Sequence, residues 1–262
     1  MTRIAIVQTH PVFGETVQNV STAVEMMETQ AADLYVLPEL FNTGYNFLDR
    51  AEVGRLAEPA DTGSGKTFTA VSEFCRRNSC YVVFGFAEKA GTLYNSSALV
   101  GPDGMVGLYR KVHLFDRENA LFAPGELGFP VFDLPIGRVG MMICFDWYYP
   151  ESARTLALKG AQLIAHPANL VLPYCPDAMV TRSLENRIFA ATADRVGSED
   201  RGGVSYSFIG MSEIVSPKGH ILTRMGAEPG VRVVEADLAL ADMKRINNHN
   251  DILKGRKPDQ YR

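Results

Sequence analysis

The chain has 262 residues with a formal net charge of −4, 46% hydrophobic and 21% charged residues, an ordinary balance for a globular protein with a full core. That charge leaves no basic stripe for nucleic acid, and no run approaches the ~20 apolar residues that a membrane span needs. The first residues enter a strand with no apolar leader, and the four cysteines (75, 80, 144, 175) lack metal-type C-x-x-C spacing. The expectation is a cytoplasmic protein with reduced thiols, no metal and no cofactor.

In chain order, a strand over 3–8 leads to a helix near 17–32 and a buried strand at 33–38 that runs straight into Glu39. A long loop, a helix near 65–78 and a strand over 80–87 follow. Segments 94–100 and 105–110 read as a hairpin about Gly101-Pro102-Asp103-Gly104, and the second of them delivers Lys111 at its end. Glu118 comes seven residues later. A second pair, 131–134 and 139–144, flanks Pro135-Ile136-Gly137-Arg138 and ends in Cys144. A helix over 150–159, a strand over 162–166, a helix over 177–190 and a strand over 191–196 continue the alternation. A hairpin turning at Ser216–Gly219 and a strand at 231–236 complete it. The mixture of β-α units and hairpins predicts an α/β protein with mixed sheets, two of them packed together with helices outside. No linker or repeat divides residues 1–262, so one domain is expected, with a polar tail from about Leu240.

Cys144 is the most informative residue. Val139–Ile143 has the composition of a buried strand, and Pro150-Glu151-Ser152 begins a helix, which places the thiol on a bend between the two. Such a bend holds a nucleophile rigidly at a sheet edge, where amide dipoles favour negative charge. A carboxylate (Glu39), an ammonium (Lys111) and a thiol (Cys144), each where a buried strand meets a loop, make one candidate active site.

These segments together resemble the nitrilase superfamily of carbon–nitrogen hydrolases. The likeness rests on Leu37-Pro38-Glu39-Leu40, Arg110–Phe115, Phe122-Ala123-Pro124-Gly125, Ile143-Cys144-Phe145-Asp146, His166-Pro167-Ala168-Asn169 and Arg182–Arg187, in the family's order from about residue 3 to 254. The resemblance implies an α-β-β-α sandwich that dimerises into an eight-layer stack. It also implies a Glu39–Lys111–Cys144 site with Glu118 as a second glutamate.

The chemistry needs such a set. A free thiol with a pKa of about 8.5 is mostly protonated at neutral pH. Glu39 would take its proton during attack and return it to the departing nitrogen. Lys111 and the Phe145 amide would stabilise the oxyanion. Glu118 would orient Lys111 and the substrate or activate the hydrolytic water. Trp147 is a candidate pocket wall and Asn169 a candidate substrate contact. Phe41–Tyr45 is expected as a lid that brings Tyr45 to the substrate.

The expected reaction is hydrolysis of a small carboxamide or N-carbamoyl compound, since Phe145-Asp146 stands where nitrile-cleaving relatives carry Trp-Glu. The alternative is a nitrilase acting on a small nitrile. Three other readings compete: a Cys–His dyad through His113 or His166, a binding module without catalysis, and an ATP switch suggested by Ala60–Thr67. The last lacks the preceding buried strand that a P-loop requires, and Gly65-Lys66 instead opens a helix. A homodimer or higher oligomer is expected, with helices 150–158 and 177–190 pairing Arg182, Glu185 and Arg187 across a two-fold axis.

Overall fold

Alternation along the first strands sorts the apolar side chains into two cores in the computed structural model, which describes residues 1–60 and 65–261. On β1 (Thr2–Gln8), Ile4 and Ile6 face one core while Ala5 and Val7 face the other. β2 (Leu34–Val36) repeats the pattern with Leu34 and Val36 against Tyr35, and β3 (Tyr81–Ala90) with Val83 against Val82 and Phe84. The two-residue period of a strand makes this partition, and each face then needs its own cover.

One face is covered by helices. Val20, Ala23 and Met27 of α1 (Thr16–Glu28) and Phe68, Val71 and Phe74 of α3 (Lys66–Asn78) fill that core. The short α2 (Arg50–Leu56) is capped by the Asp49 side chain, which accepts from the Glu52 amide. The other face meets a second sheet. Val139 and Met141 of β7 (Gly137–Met141) and Leu163 and Ala165 of β8 (Leu163–Pro167) share a core with Ile4, Ile6, Leu34 and Val36.

The two sheets are built alike. The first adds β4 (Thr92–Gly101), β5 (Gly104–Arg110) and β14 (Gly230–Ala236), in the order β14-β1-β2-β3-β4-β5. The second runs β13-β12-β9-β8-β7-β6, with β6 (Val131–Leu134), β9 (Phe189–Ala193), β12 (Glu213–Val215) and β13 (Ile221–Arg224). In each, three central strands pair in parallel and antiparallel partners flank them. Parallel neighbours require helical crossovers, supplied in the second sheet by α5 (Pro150–Leu158) and α6 (Cys175–Asn186). The α/β class and the mixed sheets are as expected. No helix of the described residues is long and apolar enough to cross a membrane.

Several boundaries differ from expectation. The strand expected to reach Cys144 ends at Met141, because Cys144 has φ of 39° and opens a 3-10 turn over Cys144–Tyr148. Cys175, expected in a loop, starts α6, whose first turn accommodates Pro176. That helix stops at Asn186 rather than 190, since Arg187 adopts the left-handed conformation. A hairpin absent from the sequence reading, β10 (Val196–Arg201) and β11 (Val204–Ile209), turns on Gly202-Gly203, both at positive φ. Phe41–Tyr45 is packed into the body of the protein, so it is no lid. Within the subunit, Arg182 and Glu185 pair along their own helix at 3.1 Å, and Arg187 donates to the Met243 carbonyl. The expected tail is anchored where it begins, Asp242 pairing with Arg138 and Gln162 and Lys244 donating to the carbonyls of Asn186 and Arg187. In the P-loop lookalike, Gly65 caps α3 as expected; residues 61–64 lie outside the described residues.

One close approach sets β3 tightly against the segment that carries Glu39. A Cβ on Gly85 would sit 2.5 Å from the Glu39 Cα, whereas one on Gly54 in α2 would meet nothing within 4 Å. Gly85→Ala is therefore expected to cost about 1–3 kcal/mol through overpacking. Gly54→Ala is expected to be neutral or to stabilise by up to ~1 kcal/mol. Urea unfolding of the two variants beside the parent checks the difference in sign.

Candidate active site

Three strand ends deliver the candidate residues to one buried place between the sheets. Glu39 lies just beyond β2, where the Gly85 amide donates to the Pro38 carbonyl at 3.0 Å and the Phe41 amide donates to the Gly85 carbonyl at 3.3 Å. Lys111 follows β5, its amide donating to the Asn95 carbonyl and its carbonyl accepting from the Gly125 amide, both at 2.8 Å. A Cβ on Gly125 would come 2.0 Å from the Arg110 carbonyl oxygen, so the Phe-Ala-Pro-Gly segment reads as a brace that only glycine completes. Glu118 opens a short helix, α4 (Glu118–Leu121), and accepts the Phe115 amide at 3.2 Å.

The side chains form a closed charge cluster. The fully buried Lys111 Nζ donates to Glu39 Oε1 at 2.7 Å and to the Glu118 carboxylate at 2.8 Å. Asn95 Nδ2 also donates to Glu39 Oε1, at 2.6 Å, while Glu39 Oε2 has no partner among the described residues. Tyr45 donates its hydroxyl to Glu118 Oε1 at 2.8 Å. Burial pushes the Glu39 carboxyl up to about 7 against the pull of the Lys111 charge, with Glu118 adding to the rise. Burial alone would lower Lys111, but the charges of Glu118 and Glu39 outweigh it and hold the amine above its ordinary range. Tyr45 is raised by burial and by Glu118, so it stays a donor.

Cys144 is buried on its turn, and its Sγ lies 3.7 Å from the Asn169 carbonyl. Burial and the Glu39 charge raise the thiol, partly opposed by Lys111. Asp146 accepts the Ile143 amide at 2.8 Å and so curls the turn. His166 is lowered to about 4 by burial and is neutral. Its Nε2 lies 2.9 Å from the Cys144 carbonyl oxygen and its Nδ1 3.0 Å from Thr192 Oγ1. His113 Nδ1 lies 2.7 Å from Asp146. Neither histidine faces the sulfur, so the geometry gives no Cys–His dyad.

Beside Cys144 lies a cavity of about 20 Å³ lined by Phe115, Phe145, Trp147, Asn169 and Leu170–Leu172. Trp147 lines this cavity, and Phe145 packs edge-on to Phe115 at 5.0 Å. Asn169 is buried, with both polar atoms of its side chain unpartnered among the described residues. Tyr45, expected as a substrate contact, gives its hydroxyl to Glu118. Its amide and that of Asn46 donate to Glu199, which pairs with the buried Arg195.

Sequence reading missed Asn95, Asp146 and the Arg195–Glu199 pair. Asn95 is the first of three consecutive polar residues, Asn95-Ser96-Ser97, in the middle of β4, and nothing local marks it out from the other two. Asp146 and the Arg195–Glu199 pair depend on segments that meet only in three dimensions. Leu40, Asp116 and Cys144 all have positive φ, of 49°, 47° and 39°, so backbone strain gathers beside Glu39, Glu118 and the thiol.

The carbon–nitrogen hydrolase family pattern matches residues 3–246. A nitrilase from Pyrococcus abyssi is 52% identical over 100% of this chain and 99% of its own. An (R)-stereoselective amidase from Pseudomonas is 36% identical over 97% of this chain and 91% of its own. Among solved structures, a glutamate-to-glutamine mutant of an amidase from Nesterenkonia, carrying the acetamide moiety of fluoroacetamide on its active-site cysteine, superposes with a TM-score of 0.80. It is 25% identical, with 98% of this chain and 94% of that one covered. The chain is a member of the carbon–nitrogen hydrolase family, the nitrilase superfamily.

Proposed function

We propose that this protein is a thiol hydrolase that converts a small nitrile to its acid and ammonia through a thioester on Cys144. The observation that carries the reading is Glu39, a buried carboxyl with one oxygen tied to Lys111 and Asn95, the other unengaged, and a pKa lifted to about 7. A base poised near the working pH suits proton transfer. Glu39 takes the thiol proton as Sγ bonds to the nitrile carbon, then passes it to the nitrogen, giving a thioimidate. Water adds, ammonia leaves with a second proton, and a thioester remains. Another water releases the acid and restores the thiol. Lys111 and the Phe145 amide hold the negative charge of the tetrahedral stages, where one such donor is worth about 3–4 kcal/mol. Glu118 and Tyr45 keep Lys111 in place.

The expectation from sequence ranked amides first. Likeness to a nitrilase across the whole chain moves nitriles ahead. Amides remain the second reading, favoured by the Pseudomonas relative and by the acetamide adduct of the Nesterenkonia enzyme. An amide enters the same sequence one addition later and reaches the same thioester, so one set of residues serves both. The mostly apolar lining beside Cys144 argues against carbamoyl amino acids, whose carboxylate would find no cationic partner among the lining residues. Ammonia release from a panel of aliphatic nitriles, matching amides and carbamoyl amino acids is expected to rank them in that order. Cys144→Ala should abolish release with the fold intact. Turnover that survives in Cys144→Ala would sink the thioester.

Activity should also follow the Glu39 proton. Below about pH 7 the raised carboxyl is protonated and cannot accept from the thiol, so kcat/KM should fall as the pH drops through that value. Glu39→Gln should cost at least ~100-fold at neutral pH and erase the acid limb. A Gln variant that keeps both rate and limb would assign the base elsewhere.

The assembly we propose is a homodimer that stacks two four-layer subunits, second sheet to second sheet through their helices. Tyr148, Leu158, Tyr174 and Leu184 stand exposed around α5 and α6, at 55%, 48%, 63% and 51%. Light scattering at micromolar concentration should give twice the chain mass of 28.8 kDa; a fully active species of 28.8 kDa would remove the dimer.

A further inference from the structure

Asp146 is a carboxylate with no exposed surface and, among the described residues, no ion-paired lysine or arginine, yet it receives four hydrogen bonds from three residues on two separate pieces of chain. Its Oδ2 accepts the Ile143 amide at 2.8 Å, on the turn that carries Cys144, and the Tyr109 hydroxyl at 2.6 Å, from β5 of the other sheet. Its Oδ1 accepts the His113 amide at 3.2 Å and faces His113 Nδ1 at 2.7 Å, two residues beyond Lys111. The Tyr109 oxygen in turn accepts the Val112 amide at 3.1 Å, so both residues that follow Lys111 are held from one point. His113 is fixed from its other side by Tyr149, ring on ring at 3.7 Å.

Lys111 and Cys144 stand on different sheets, which share an apolar core and a few polar links such as the Ser212 amide and hydroxyl to Gln8 Oε1; among the described residues, the hydrogen bonds between the turn of Cys144 and the strand end of Lys111 all run to Asp146. Hydrogen bonds to a buried charge are short, directional and strong. We propose that Asp146 is the positioning residue that sets the Cys144 sulfur relative to the Lys111 ammonium, by tying the nucleophile turn to the strand end that carries the lysine. It touches neither substrate nor sulfur. Its role is also to hold Cys144 in its left-handed conformation, which an L-residue leaves when released. This role rests on the thiol mechanism proposed for Cys144, and its first readout needs no substrate.

That readout is alkylation of Cys144 by iodoacetamide, followed by mass spectrometry across a pH series. Asp146→Asn keeps the shape but turns an amide N–H toward donors, so one or two of the four bonds must break. In a folded variant with parent-like unfolding behaviour, alkylation at neutral pH should slow and its pH profile should move upward. On the proposed substrates kcat should fall on the order of 100-fold, the effect of a misplacement of about 1 Å, with KM nearly unchanged. Asp146→Glu should recover part of both rates. A folded Asp146→Asn with the parent's alkylation profile and kcat would overturn the assignment, as would losses that only follow a lowered melting temperature. If Asp146→Asn does not fold, Tyr109→Phe removes one of the four donors; slower alkylation is expected, and a parent-like rate overturns the proposal. A parent protein that alkylates normally but hydrolyses neither nitriles nor amides would refute the proposed function and leave the positioning result to stand by itself.

Discussion

An ammonium with no exposed surface, held between two carboxylates, is the constraint around which this molecule is arranged. Removing Lys111 from water costs several kcal/mol, and only the charges of Glu39 and Glu118 at 2.7 and 2.8 Å return it. The arrangement carries an excess of one negative charge, and burial concentrates the strain on Glu39, whose carboxyl rises to about 7. A structural ion pair would gain from having both partners fully ionised. Here one acid is left close to neutrality with an unengaged oxygen, which costs stability and suits proton transfer.

Much of the surrounding fold holds that cluster in shape. Asn95 on β4 and the Gly125 brace fix the strand end of Lys111. Tyr45 fixes Glu118, and the Arg195–Glu199 pair fixes the backbone of Tyr45. Each layer is itself buried and charged or polar, so each is satisfied by the next outward. Such networks are costly if one member is missing. The positive φ angles at Leu40, Asp116 and Cys144 belong to the same account: the backbone is strained where side chains must converge, and the two cores supply the stability that offsets it.

The division of the structure into two sheets suits this chemistry. Glu39, Lys111 and Glu118 come from the first sheet and its loops, Cys144 and Trp147 from the second. Neither sheet holds all of these residues, so under the proposed mechanism the registration between the sheets would control reactivity. Under the proposed mechanism the same residues would take a nitrile or an amide to a thioester, because both electrophiles require a thiol proton to move and a developing anion to be held. Under the proposed function, substrates would be separated by the cavity beside Cys144, formed by Phe115, Trp147 and the loop after Asn169.

Local pattern was sufficient for much of this. Apolar runs marked the buried strands, and the placing of Glu39, Lys111 and Cys144 where such strands meet loops marked the candidate site, because a strand that ends at a sheet edge delivers its next residue to one place. Gly202-Gly203 carried a hairpin signal too, but it joined strands too polar to stand out. Other features had no local signature. Cys144 reads as the end of a strand until the Asp146 side chain curls the chain after Met141. Phe41–Tyr45 reads as a loop beside the site, and only packing against β11 and Glu199 makes it part of the wall. Asn95, Asp146, Arg195 and Glu199 look like ordinary polar residues in their own segments. Sequence determined which chemical groups are available and where strands end, since those follow from side-chain identity and backbone period. Tertiary structure alone decided which oxygen of Glu39 is unengaged, what holds the thiol and how small the pocket is, because those depend on contacts between residues far apart in the chain, such as Tyr45 and Glu199 at a separation of 154 positions.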